Sequence, residues 1–463
     1  MKKVKDSLTL RVIAVMLALL VMTVSLASCL GIQNYPDPIV PGTDGDTDAA
    51  PESAEATDDL KDNTVSSEPS FENSAFFELI AEAYQNARDE GYTGDIAQYL
   101  KELMDVETDS VNTLHALSAG LLSSVAIIAT YEVRQNSFFG VTTGNASSAG
   151  SGVIYKLDKE SGSAYIITNY HVVHHDYSTN STKISEDIDV YIYGSVVTGS
   201  EIPATFIGGS YNYDIAVLKI ENSERLKSSD AVAISAADSN EITVGQTAIA
   251  IGNAKGMGIS ATSGVISVDS EYIDLNIVSN IATEHRVMRF DTAVNSGNSG
   301  GGLFNAKGEL IGIVNAKTSD TSVDGIGYAI PSNVAIGVAQ NIIDNYDGNS
   351  TSSLLKCLLG VTVQSSDHRA VLDSETGGVR LTETVSVASV TDGTLAEGKL
   401  QVNDVIKSIT VAGKTREITR MFHVIDAMLW ARDGQTVVVS IERDGVASDV
   451  TFEVEPSHMT VQD

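Results

Sequence analysis

The chain has 463 residues, enough for about three structural units of ~150 residues each, and its 43% hydrophobic content is that of a globular protein. Its 29 basic against 61 acidic residues leave a net charge of −32, which repels phosphate backbones and excludes nucleic acid as a partner. The two cysteines, Cys29 and Cys357, exclude a fold built on a disulfide framework.

In chain order, Lys2, Lys3, Lys5 and Arg11 come first, and an uncharged run from Val12 to Ser28 follows. A spanning helix needs ~20 apolar residues, so residues 1–29 read as a signal segment. The run ends in LASC, Leu26 to Cys29, which resembles a bacterial lipobox. That resemblance implies lipidation at Cys29 and a chain anchored to the cell membrane, facing outside the cytoplasm. An ordinary secretory signal and an uncleaved anchor helix are the alternatives, and both also put the remainder outside. Residues 30–70 form an acidic tether. From 31 to 70 there are ten Asp or Glu and one basic residue, Lys61, with too little apolar surface to fold. Residues 71–118 predict a pair of helices, with FFELIAEAYQNARDEG apolar at helical spacing and Asp95 as N-cap of DIAQYLKELM.

From about Leu121 the pattern changes. SSVAIIATYEV, SGVIYKL, AYIIT, DVYIY, IPATFIG, DIAVLKI, TAIAIG and ELIGIVNA are short, β-branched runs between Gly, Asn, Asp and Ser clusters. Many short strands with turn signals argue for an all-β barrel or sandwich. One helix, SNVAIGVAQNIIDNY, closes this region, and DGNSTSS (347–353) reads as a linker. The last unit combines strands, an amphipathic stretch TRMFHVIDAMLWARDG, and a hairpin turning at Asp444-Gly445. Cys357, in LLKCLLG, reads as a buried hydrophobe.

The chemistry rests on three contexts. His171 follows a strand in AYIITNYHVV, Asp214 precedes one in YNYDIAVLKI, and Ser299 lies in NSGNSGGG, where four glycines fall within six residues. A serine hydroxyl needs an imidazole to take its proton, and the imidazole needs a carboxylate to fix its tautomer. Taken singly, each residue has a bland reading: a structural histidine, a turn aspartate, a glycine-rich loop. The His174-His175-Asp176 run invites a metal reading, but no further ligand cluster accompanies it, so it reads as a polar loop and no metal is assigned.

TNYHVV, YDIAVLKI, and DTAVNSGNSGGGLFN followed by GIGYAIPSN resemble the HtrA/DegP family of serine proteases. LLGVTV and VASVTDGTLAEGKLQVNDVIKSI resemble the PDZ domain that follows the protease there. The resemblance implies a mainly β fold: a chymotrypsin-like double β-barrel over 119–346, a PDZ domain over 354–457, and a short N-terminal helical segment. It implies a serine endopeptidase cleaving misfolded or unfolded proteins, with catalytic His171, Asp214 and Ser299 and an oxyanion hole from the N–H groups of Gly297 and Ser299. It implies no cofactor and a homotrimer, with Phe138 and Phe139 as candidate contacts. Ala293, six residues before the serine, would form the base of the specificity pocket, and the neutral base predicts cleavage after small or medium aliphatic residues. Leu358, Leu359, Gly360 and Val361 would receive peptide C-termini. Two departures stand out: Gly302 occupies a usual proline position, and Asn403 a usual glycine position. The competing reading is a catalytically silent PDZ adaptor or chaperone.

Overall fold

The structure is a computed structural model that describes residues 88, 93, 109–137, 140–193, 198–279, 281–315, 325–372 and 378–462. Cys29, Phe138, Phe139, the tether and most of the expected helical pair lie outside the described residues. Among those described, no helix is long and apolar enough to cross a membrane.

Helix α1 (Asp109–Ser123) runs directly into β1 (Ser124–Ser137). Strands β2 (Gly140–Asp158), β3 (Ser163–Thr168), β4 (Asp187–Ile192), β5 (Ile202–Ser210) and β6 (Ile215–Ile220) complete the first barrel. The strand order is β5-β4-β1-β2-β3-β6, and β5 pairs with β6 to close the ring. A one-turn helix α2 (Tyr170–Val173) follows β3, and α3 (Glu224–Lys227) follows β6. The second barrel is also closed, in the order β10-β11-β12-β9-β8-β7. Its strands are β7 (Thr247–Gly252), β8 (Ser260–Val278), β9 (Ile281–Phe290), β10 (Gly302–Phe304), β11 (Leu310–Asn315) and β12 (Gly327–Pro331).

Alternation along the strands fills each barrel. Ile127, Ile154, Ile166 and Leu218 pack inside the first, and Ile266, Met288, Phe290 and Ile311 inside the second. A third cluster lies between them. Ile167, Ile215 and Val217 of the first barrel meet Ile251, Phe304 and Ile313 of the second, together with Val334, Val338 and Ile342 of helix α4 (Ser332–Asn345). Burying each such side chain is worth roughly 1.5–3 kcal/mol, so the seam between the barrels is rigid.

The long hairpin of β8 and β9 does not stand out in the sequence. Buried residues such as Ile266, Leu275, His285 and Phe290 are scattered irregularly among exposed and half-buried ones, so the period-2 signal fades.

Beyond α4, β13 (Ser352–Cys357) pairs in parallel with β5, Ser352 opposite Gly208. The end of the expected linker is therefore a strand of the first barrel's sheet. Gly208 makes this possible, because a Cβ there would sit 2.2 Å from the Ser352 carbonyl oxygen. The last unit holds β14 (Val361–Leu372), β15 (Val379–Val390), β16 (Val405–Val411), β17 (Lys414–Glu417), helix α5 (Phe422–Met428), β18 (Thr436–Arg443) and β19 (Val446–Glu453). Its sheet runs β14-β15-β16-β18-β19, with β17 on β16, and β20 (Met459–Gln462) returns to pair with β13. The two barrels followed by this sheet unit match the protease-plus-PDZ fold class. Asp444 and Gly445 both have positive φ, 51° and 78°, as a two-residue hairpin turn requires. Asn403 adopts φ 73°, the left-handed backbone that Asn tolerates. Cys357 is fully buried, and burial pushes its thiol up to about 11.

The last unit is joined to the second barrel by buried charge. The Arg286 guanidinium on β9 donates to Asp426 on α5 at 2.8 Å, with both side chains under a tenth exposed, and it stacks 4.0 Å from the Phe422 ring centre. Arg420 reaches Asp269 on β8 at 2.9 Å and Glu383 on β15 at 3.1 Å.

Candidate active site

His171 sits on α2, a single turn that starts as soon as β3 leaves the barrel. The Tyr131 hydroxyl donates to the Val172 carbonyl at 3.0 Å and holds this turn on the barrel wall. Asp214 lies just before β6 at φ 50°, in a turn closed by its own N–H on the Tyr211 carbonyl at 3.3 Å. The turn aims the carboxylate inward, where it is fully buried. Asp214 Oδ1 accepts from the His171 backbone N–H at 3.0 Å. Asp214 Oδ2 accepts from His171 Nδ1 at 2.8 Å and from Asn315 Nδ2 at 2.8 Å. Three donors around one carboxylate replace its lost hydration. An ionised carboxylate only accepts, so Nδ1 carries the ring proton and Nε2 keeps its lone pair.

Ser299 belongs to the turn between β9 and β10, and the residue is 6% exposed. The N–H of Asn298 closes onto the Asn295 carbonyl at 3.0 Å, with Gly297 at the third position and φ 98°. This is the type II requirement for glycine. Side chains are excluded there, since a Cβ on Gly297 would meet the Asn253 carbonyl oxygen at 2.2 Å. The carbonyls on the far side of two peptide planes are pinned. Lys255 N–H donates to the Ser296 carbonyl at 2.7 Å, and Gly301 N–H to the Asn298 carbonyl at 2.9 Å. In a trans peptide the N–H points opposite to the C=O, so these two bonds set the directions of the Gly297 and Ser299 N–H groups. Two pre-aimed donors beside a serine are what a developing oxyanion needs.

Gly302 opens β10. A Cβ there would come within 2.3 Å of the Phe304 ring, so in this chain the aromatic ring fills the space a larger residue would take.

Ala293 is exposed, and its carbonyl accepts from Thr262 Oγ1 at 2.8 Å. The nearby acid, Asp291, accepts the Val265 N–H at 2.7 Å. In the last unit, Leu359 is buried and Leu358 half-exposed. Gly360, at φ 85°, leads into edge strand β14. The carbonyls of Leu359 and Gly360 accept from Ala396 and Thr391 N–H at 3.0 and 2.8 Å, which turns the N–H groups of Gly360 and Val361 the other way. Asp176, in the run that invited a metal reading, instead accepts from Ser279 Oγ at 2.5 Å at the tip of the β8–β9 hairpin.

Several residues at the site escape a reading of motifs. Asn315 ends an otherwise apolar strand, and the Asn169 side chain donates to the Asp214 carbonyl at 2.9 Å. Ser151 is fully buried in β2, and Lys255 acts through its backbone alone. The one available signal is a polar residue in an apolar strand, as at Asn315; Ser151 sits among other Gly, Ser and Thr residues of β2 and gives none. His285, buried on β9, bonds Thr283 Oγ1 at 2.6 Å. Burial lowers its pKa and keeps it neutral within electrostatic reach of Asp214 and His171.

Residues 150–313 match the trypsin-like peptidase domain. The chain is 33% identical over 380 residues to the serine protease Do-like HtrA of Lactococcus lactis subsp. cremoris, covering 76% of this chain and 84% of that one. It belongs to the HtrA family of serine proteases. This HtrA chain is also 38% identical over 197 residues to the periplasmic pH-dependent serine endoprotease DegQ of Escherichia coli, covering 42% of this chain and 37% of that one. Among solved structures, the HtrA-type protease AlgW with tripeptide is 28% identical, with a TM-score of 0.46, covering 76% of this chain and 98% of that one. The chain is thus a serine endopeptidase of HtrA type.

Proposed function

We propose that Ser299 attacks the substrate carbonyl while His171 takes its proton and later returns it to the leaving amine. Asp214 orients the imidazole and stabilises its cation, and the N–H groups of Gly297 and Ser299 receive the oxyanion. The observation that carries this reading is the 2.8 Å bond from His171 Nδ1 to buried Asp214, which leaves Nε2 free to act as base. No step of this chemistry calls on a metal or cofactor.

The substrates are misfolded or unfolded proteins, whose extended segments give a serine nucleophile access to the peptide backbone. Cleavage falls after small or medium aliphatic residues. Ala293 brings no counter-charge, and Asp291 is engaged by the Val265 N–H of β8, so an inserted Lys or Arg finds no dedicated partner there. The last unit acts as a PDZ domain: a peptide C-terminus adds a strand beside β14, and its carboxylate meets the N–H groups around Leu358 to Val361. The protein works outside the cytoplasm as a homotrimer, lipid-anchored through Cys29. Relatives named periplasmic endoproteases support the compartment.

The test uses a fluorophosphonate probe on the purified protein, with mass spectrometry to find the adduct, beside cleavage of unfolded casein. The expected result is one adduct, on Ser299, and loss of both signals in Ser299→Ala and His171→Ala. Adducts elsewhere, or casein cleavage by Ser299→Ala, would refute the assignment.

A further inference from the structure

Ser151 lies in the middle of β2, opposite Ala126 in the first barrel, and none of it is exposed. It nevertheless makes four hydrogen bonds, and together they tie both barrels to the turn that carries Ser299. Its N–H donates to the Ser299 carbonyl at 2.8 Å. Its Oγ donates to the Gly297 carbonyl at 2.6 Å and accepts from the Asn253 N–H at 2.7 Å. Its own carbonyl accepts from Thr168 Oγ1 at 2.7 Å, which anchors Ser151 to β3.

These contacts alternate with the donors proposed for the oxyanion. The Gly297 and Ser299 N–H groups lie on the peptides of the Ser296 and Asn298 carbonyls, and Ser151 holds the carbonyls of the peptide that follows each donor residue. The space is closed: a Cβ on Gly300 would meet the Ser151 carbonyl oxygen at 2.2 Å, and one on Gly301 would lie 3.2 Å from Ser151 Cβ. The Asn253 N–H that feeds the Ser151 hydroxyl belongs to the segment that also carries Lys255, whose N–H pins the Ser296 carbonyl. One hydroxyl thus links β2, the segment after β7 and the nucleophile turn. A type II turn can convert to type I by rotating its central peptide, here the one joining Ser296 and Gly297, which would swing the Gly297 N–H away; the Lys255 N–H on the Ser296 carbonyl opposes this, and Ser151 reaches that segment through the Asn253 N–H.

We infer that Ser151 is a positioning residue of the oxyanion site: its hydroxyl ties the Gly297 carbonyl to the Asn253 N–H across the barrel seam, and so seats the nucleophile turn on the segment whose Lys255 N–H pins the Ser296 carbonyl and directs the Gly297 N–H. The inference rests on the proposed roles of Ser299 and Gly297. Removing the hydroxyl leaves the Gly297 carbonyl without this donor and the Asn253 N–H without this acceptor, while the backbone bond to Ser299 stays. The turn then loosens against the 253–255 segment that directs the Gly297 N–H, and substrate contacts elsewhere are untouched.

The full-length protein and its Ser151→Ala variant are compared on a peptide oxygen ester and the matching thionoester, whose sulfur is a poor acceptor for oxyanion N–H groups. We expect kcat on the oxygen ester to fall on the order of tenfold to a hundredfold, less than or equal to the loss of a whole donor, with KM little changed. The oxygen-to-sulfur rate ratio should fall by a similar factor. Equal losses on both esters, an unchanged kcat, or an effect confined to KM would overturn the inference. If the alanine variant does not fold, Ser151→Cys is measured in its place, since a thiol is a weak donor of similar size. A reduced ratio then supports the inference and a wild-type ratio overturns it. Wild-type activity that survives Ser299→Ala would instead strike at the catalytic assignment itself.

Discussion

Replacing Asp214 with Asn tests the imidazole's tautomer directly. The carboxylate accepts three hydrogen bonds, from His171 N–H, His171 Nδ1 and Asn315 Nδ2. An amide offers one oxygen and one NH2. With the oxygen on the His171 backbone N–H, the NH2 faces Nδ1 and Asn315. The ring must then move its proton to Nε2, and the Asn315 amide can flip to accept. This arrangement satisfies every group but leaves Nε2 protonated and unable to take the serine proton. The opposite rotamer preserves the tautomer only by setting an NH2 against the His171 backbone N–H, which cannot flip, at a cost of about 1–3 kcal/mol. The inactive arrangement therefore prevails. A misprotonated base of this kind costs about four orders of magnitude in kcat, or about 5.4 kcal/mol at ~1.36 kcal/mol per tenfold. Labelled unfolded casein supplies the rate, and thermal unfolding checks that the fold survives with a modest drop in midpoint. A folded Asp214→Asn protein retaining a tenth or more of wild-type kcat at neutral pH would refute the reasoning.

Ser299→Ala removes a single oxygen from a residue 6% exposed; casein cleavage should vanish while the melting midpoint stays within ~2 °C, since little volume is lost. Asp426→Ala strands the Arg286 charge in a site where both side chains are under a tenth exposed, at a cost of roughly 3–5 kcal/mol. Replacing both partners, Arg286→Met with Asp426→Leu, should recover much of that in urea unfolding; a double variant as weak as the single one contradicts the account. His423 has its pKa depressed from 6.5 to about 3, first by burial and then by Arg286 and Arg420. The folded state thus keeps it neutral, so its contribution is intact above pH 6.5 and shrinks as pH falls toward 3, because the unfolded chain takes up the proton first. The loss is ~1.4 kcal/mol per pH unit, or about 2 kcal/mol by pH 5. His423→Gln should flatten the stability slope between pH 5 and 6.5, and identical slopes in the two proteins would rule the histidine out as its source.

The mainly β character, the short strands and the Asp444-Gly445 hairpin are legible in the sequence because each depends on neighbours close in the chain: β-branched alternation and residues that tolerate positive φ. His171, Asp214 and Ser299 are legible for a related reason, since each lies in a distinctive local run at the end or start of a strand. Even there the sequence offers three separate residues. The pairing of His171 with Asp214 depends on α2 and the turn before β6 facing one another on the first barrel, while the Ser299 turn comes from the second. Asn315 and Ser151 carry no local mark of function, because their roles exist only where one barrel touches the other. Asn315, polar in an apolar strand, signals an unmet need for a partner and Ser151 in polar β2 does not, and the partners lie 101 and 146 residues away. The β8–β9 hairpin and its ion pair with α5 are hidden for the same reason. Their burial comes from a second unit docking on a half-polar surface, so the period of the strands does not announce it. Local backbone preference and side-chain spacing are written in consecutive residues, whereas the direction of an N–H, the tautomer of an imidazole and the burial of a charge arise only when distant segments close on one another.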